Sequence, residues 1–133
     1  MCWTTYGIPP KLTAEADVPI LKVGVEDGNI MVSPYNKFPY ELGKIYKMPG
    51  MNLIYSEFQC HIHEGFHSYD PRKLQLHHEF WGVIVAKGGL RRDSYPRWMD
   101  IFEGFIPKGS HYYLNVYGEL VSDGICITNK KIK

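Results

Sequence analysis

Only three cysteines occur in the 133 residues, Cys2, Cys60 and Cys126, and none are spaced as CxxC. An odd, sparse set of this kind argues against a disulfide framework and against a zinc ribbon, and it suits a reducing, cytoplasmic setting. No apolar run approaches the ~18 residues that a membrane-spanning helix needs, and the first residues, MCWTTYGIPP, lack the basic-then-apolar order of a secretion signal. Charge of one sign is also missing. Fifteen Lys and Arg against fourteen Asp and Glu leave a formal net charge of +1, which gives no electrostatic reason to expect nucleic acid as a partner. There is no GxxxxGK[ST], GxGxxG or GxSxG, so phosphate-cradling loops and the nucleophile elbow are absent. Glu103, Glu119 and Asp123 are separated by turn signals, so no general-acid pair can be placed.

What the chain does contain is apolar content and aromatic rings. Hydrophobic residues make up 44% of the chain, and there are ten Tyr, six Phe and three Trp. That is enough to build a core without covalent staples, so the expectation is a single compact domain over residues 1–133, with residues 128–133 as a basic solvated tail. Gly and Pro punctuate the chain densely and evenly, the pattern of many short strands. Residues 18–25 (VPILKVGV) read as a buried strand, followed by a hairpin turn at Asp27-Gly28 or Gly28-Asn29 into Ile30–Val32. Residues 40–47 read as a half-buried strand with a bulge at Gly43. Residues 53–63 read as one alternating strand with Ile54, Ser56, Phe58, Cys60 and Ile62 on one face. Asp70-Pro71 marks a helix start, with Asp as cap and Pro at the first helical position, and the RKLQLHHEFW that follows predicts a short helix. Residues 82–87, 99–106, 110–114 and 119–128 read as further strands. The sum is a β-rich α+β fold of about seven or eight mostly antiparallel strands with one short helix.

Three groups of residues carry candidate chemistry. Five of the six histidines (His61, His63, His67, His77, His78) lie within eighteen residues. His61 and His63 would share a face of a strand, and with His111 they make a candidate transition-metal site. The H-x-H pair with Pro107-x-Gly109-x-His111 and Asn115 resembles the cupin metal site, although Phe66 and His67 stand where cupins carry a glutamate. The second group is Gly65-Phe66-His67-Ser68-Tyr69 together with the turn before His111 and Tyr113. Aromatic and small polar groups beside glycines at such junctions suit a ligand pocket, so Phe66, His67, Tyr69, His111 and Tyr113 are candidate ligand-binding residues. Arg91, after Gly88-Gly89, is added as an anion contact. The third is Cys2. Removal of Met1 would leave an α-amine beside a thiol, a self-sufficient nucleophile, as in N-terminal-nucleophile amidotransferases and in small proteins that crosslink to abasic DNA.

Over nearly its whole length the chain resembles a family of small proteins from gut Bacteroidetes and their phages and mobile elements. The resemblance rests on the Met-Cys-Trp start, Tyr40-Glu41-Leu42-Gly43-Lys44-x-Tyr46, Gly65-Phe66-His67-Ser68-Tyr69, Ile106-Pro107-Lys108-Gly109-Ser110-x-Tyr112-Tyr113, and Gly118-Glu119-Leu120-Val121-Ser122-Asp123. It implies a cytosolic protein carried by phage or mobile elements and involved in host–phage conflict, and it implies no particular activity. The GFH and PKGS segments are also similar to ADP-ribosyltransferase-like folds. The sequence thus favours a non-enzymatic binding module with no cofactor. Its partner would be a small polar ligand, a nucleotide among them, or a protein; homo-oligomerisation stays open. The alternatives are an enzyme using Cys2 and a cupin-like metal protein.

Overall fold

A computed structural model describes residues 3–33, 38–56, 58–72, 89–90 and 99–130. Among them are fourteen strands: β1 (Trp3–Tyr6), β2 (Leu12–Thr13), β3 (Val18–Asp27), β4 (Ile30–Val32), β5 (Pro39–Glu41), β6 (Ile45–Lys47), β7 (Ile54–Ser56), β8 (Gln59–Ile62), β9 (Phe66–Tyr69), β10 (Gly89–Leu90), β11 (Met99–Ile106), β12 (His111–Leu114), β13 (Glu119–Ser122) and β14 (Gly124–Lys130). Every pairing is antiparallel. The β-rich expectation therefore holds, but the strands are more numerous and shorter than seven or eight.

The reason is that glycines and polar corners cut the longer predicted runs. Residues 40–47 are two strands, β5 and β6, separated by a turn where Gly43 takes φ 85°. Such a left-handed conformation is one glycine adopts without strain. Residues 53–63 are a hairpin, with Ser56 paired to Gln59 across the tip. Phe58 sits on that tip and is 86% exposed instead of facing the core. Residues 119–128 break at Asp123 into β13 and β14, and β14 runs on to Lys130, so the tail begins later than the charge pattern suggested. Phe66–Tyr69, read from the sequence as a junction between elements, is the strand β9. The expected hairpin forms, and of its two candidate turns it uses Gly28-Asn29, with Asp27 paired to Ile30 and Gly28 at φ 65°.

No helix of more than a turn occurs among the described residues. The start of the predicted one is present. Residues 71–72 are helical, and Asp70 caps them, its Oδ1 accepting the Arg72 N–H at 3.0 Å. The rest of that helix and the predicted 82–87 strand lie outside the described residues. No described helix is long and apolar enough to cross a membrane.

The large sheet runs β2-β12-β13-β9-β3-β11-β14-β6. Since β13 and β14 are consecutive in the chain, the stretch β13-β9-β3-β11-β14 closes on itself as a small barrel. The corner at Asp123 is stitched on three sides. Its Oδ1 accepts the His111 N–H at 2.8 Å, its own N–H donates to His111 O at 3.1 Å, and its carbonyl accepts from Met48 N at 2.9 Å. Ile20, Phe102, Ile106, Leu120, Ile125 and Ile127 fill the barrel, and Met31 and Tyr40 from β4 and β5 close it. A second sheet, β1-β8-β7, packs on the outside of β12 and β13 through Trp3, Ile62, Tyr113 and Val121. Trp3 Nε1 donates to Glu119 O at 2.8 Å, and Asn115 Nδ2 donates to Thr4 O at 2.9 Å.

Candidate functional site

Strand β9 divides the predicted pocket between two faces, because alternate residues of a strand point opposite ways. Phe66 and Ser68 share the inner face, and Phe66 packs against the barrel core with its ring 6.2 Å from that of Tyr40. His67 and Tyr69 share the outer face. Register across the strands sets His67 beside Val121, and Val121 beside Tyr113. His67, Val121 and Tyr113 thus form one row beneath the small sheet, with Tyr113 5.9 Å from Trp3, ring to ring. Tyr69 packs with Leu21 and Ile101 farther along the same face. His111 lies two residues before Tyr113 on β12, and its Nδ1 is 3.2 Å from Thr13 Oγ1. Four of the predicted ligand residues therefore belong to one face, and Phe66 does not. Cys2 and Arg91, with His77 and His78, lie outside the described residues.

The histidines expected to hold a metal separate. His61 and His63 do share a side, with ring centroids 6.4 Å apart. However, the register pairs Trp3 with Ile62 and Thr4 with His61. Ile62 is the residue that points at Tyr113 and Val121, so His61 points away from them, and it sits 3.1 Å from Thr4 Oγ1. The small sheet stands between His61 and the face that carries His111. No group of three or more His, Cys, Asp or Glu among the described residues could hold a metal ion.

Electrostatics single out His67. Its ring hydrogen-bonds the backbone of His63, while burial, and then the nearby Lys22 charge, bring its pKa down to about 4. The imidazole is therefore neutral at pH 7. Its Nε2 is buried with no hydrogen-bond partner. In a neutral ring one nitrogen carries the proton and the other accepts. Donation to the backbone fixes Nδ1 as the donor and leaves Nε2 as an acceptor without a donor. Most buried polar atoms in proteins are paired, so an orphan here needs a reason.

The inner face holds a residue that the sequence reading passed over. Lys22 on β3 alternates with Ile20 and Gly24 and enters the barrel, where it is 7% exposed. Its Nζ donates to the His67 carbonyl and lies 5.6 Å from the Tyr40 ring centroid. No described carboxylate pairs with it; the ion pairs among the described residues are Lys44–Glu41, Arg72–Asp70 and Lys130–Glu26. Burial brings its pKa down to about 8. The signal was present in VPILKVGV, a lysine in a run otherwise fit for a buried strand. Ser68 is the other omission: its Oγ is also buried and unpartnered.

These features define a small antiparallel β-barrel with unsatisfied polar groups on both faces of one strand. No protein-family model, curated protein or solved structure matches the chain.

Proposed function

We propose that the protein is a non-enzymatic binding module that takes a small polar ligand on the outer face of β9. The observation that carries this reading is the buried, unpartnered Nε2 of His67. A buried acceptor without a donor costs about 1–3 kcal/mol, and a ligand N–H or O–H placed there recovers it. Tyr69, two residues along the same face of β9, supplies aromatic surface near that acceptor, while Tyr113 is buried under the small sheet. A planar ligand with a ring N–H or an amino group fits such a wall, and nucleobases belong to that class. The resemblance to proteins of phages and mobile elements sets the proposed context, in which a host or phage nucleotide would be the molecule sensed.

The test is thermal stability against a panel of nucleosides and nucleotides, in wild type and in His67→Leu. The expected result is a saturable rise in Tm for at least one member in wild type. His67→Leu, which removes the orphan acceptor, should fold and lose the response. A flat panel in wild type, or an equal response in His67→Leu, would overturn the reading.

A protein partner is the second reading, favoured by one surface. Tyr6, Ile8 and Phe58 are 66%, 78% and 86% exposed, and the Gly7 N–H to Phe58 O bond of 3.2 Å holds them together at one end of the small sheet. Exposed apolar clusters of this kind mark contact surfaces. Light scattering of wild type against a Phe58→Ser, Ile8→Ser variant tests self-association through it: a particle mass unchanged by the substitutions removes that form of the reading.

A further inference from the structure

We infer that the inner face of β3 and β9 carries a binding site for a small oxyanion, with Lys22 Nζ and Ser68 Oγ as its donors. The site lies on the opposite face of β9 from the His67 ring, although Lys22 also touches the His67 carbonyl.

The argument begins with unused donors. An ammonium carries three N–H bonds, and in this fold one of them reaches the His67 carbonyl. Among the described residues no carboxylate pairs with the others. A buried cation without a counter-charge is among the more expensive features a fold can carry. Strand pairing supplies the second donor. Leu21 pairs with Tyr69, so the next antiparallel position sets Lys22 opposite Ser68. Both residues lie on the inner face, and the Ser68 hydroxyl is 2% exposed at residue level with no partner of its own. The β3–β9 ladder holds this single register pair. Lys22 and Ser68 therefore stand where main-chain bonds between the two strands cease and their polar groups turn to other partners.

Two donors and a positive charge on an apolar wall complement a carboxylate or a phosphate group, which offers several lone pairs and a negative charge in a small volume. Charge balance agrees. An anion beside Lys22 would offset the desolvation that brings the amine down to about 8. The source of the oxyanion, a carboxylate or a phosphate, is what the experiment separates. On β11, Phe102 pairs with Lys22, and the acidic register positions on either side of it are Glu103, paired with Leu21, and Asp100, paired with Gly24; Asp100 is the one two positions along from Phe102.

The test is a titration of the full-length protein with sodium acetate and, separately, with inorganic phosphate, at constant ionic strength held by chloride. The readouts are Tm and the 15N shift of the Lys22 side chain. The expected result is a saturable response to one of the two anions, lost in Lys22→Met and weakened about tenfold in Ser68→Ala, the size expected for one hydrogen bond to a charged group. Acetate alone would identify a carboxylate site, and phosphate alone a phosphate site. Three results would overturn the inference: no saturable response to either anion, the same response in Lys22→Met, or a Lys22 shift that moves on Asp100→Asn and not on anion addition. The last would make Asp100 the counter-charge. Ser68→Ala is a small change that keeps the test valid if Lys22→Met fails to fold.

Discussion

Replacing Lys22 by Met removes a buried charge and keeps an unbranched chain of similar length. The consequence is worked from one pair of values, an ordinary lysine pKa of 10.5 and about 8 in the folded protein. A base whose pKa falls on folding binds fewer protons in the native state than in the unfolded state between those two values. Stability therefore rises with pH across that window, and the contribution is lost as pH falls through about 8. At ~1.36 kcal/mol per pH unit, the protonated lysine costs about 3 kcal/mol at pH 7, and about 1 kcal/mol of that remains at pH 10. Lys22→Met escapes this dependence. The stability difference between variant and wild type should thus shift by about 2 kcal/mol between pH 7 and pH 10, in favour of wild type as pH rises. Urea denaturation of both proteins at pH 7, 8, 9 and 10 measures the difference, and subtraction removes the tyrosine and other titrations the two proteins share. A difference that is flat with pH, or one that moves the opposite way, would refute the claim that Lys22 is a buried cation without a compensating carboxylate among the described residues.

Other consequences are simpler to check. His67, with a pKa brought down to about 4 from 6.5, contributes stability that is complete above about pH 6.5 and drains away as pH falls towards 4; acid melting curves should flatten in His67→Leu, by up to about 3 kcal/mol over that span. Gly104→Ala should destabilise by about 3 kcal/mol in chemical denaturation, because a Cβ there would lie 2.2 Å from the Cys126 carbonyl oxygen at the bulge between β11 and β14. Phe58→Ser should leave the denaturation midpoint within about 0.5 kcal/mol of wild type, since the ring is 86% exposed.

The strand content and the Gly28-Asn29 hairpin were legible because they are local. A period of two and a turn-forming dipeptide need no knowledge of partners. Strand breaks at Gly43 and Asp123 were not legible, because each depends on which neighbour the chain meets next. Asp123 turns a corner using the backbone of His111 and Met48. Phe58 misled for the same reason: alternation continues on paper through a turn that reverses the chain. At the site, the motif Gly65–Tyr69 was picked for its side chains, but as a junction between elements it had no faces to sort. Once it is a strand, Phe66 and Ser68 part from His67 and Tyr69. The histidine pair illustrates the limit of spacing arguments. His61 and His63 share a side as expected, yet whether His111 joins them is decided by the packing of one sheet on another. Lys22 was missed because a lysine in a buried strand is ordinarily discounted, and its lack of a partner is visible only in three dimensions.

The proposed function rests most directly on the state of the His67 ring, which side-chain 15N NMR of histidine reads without any ligand in hand. The account predicts a neutral ring near pH 7, protonated at Nδ1 and bare at Nε2, with a midpoint below about pH 5. A proton on Nε2, or an ordinary titration near pH 6.5, would contradict it.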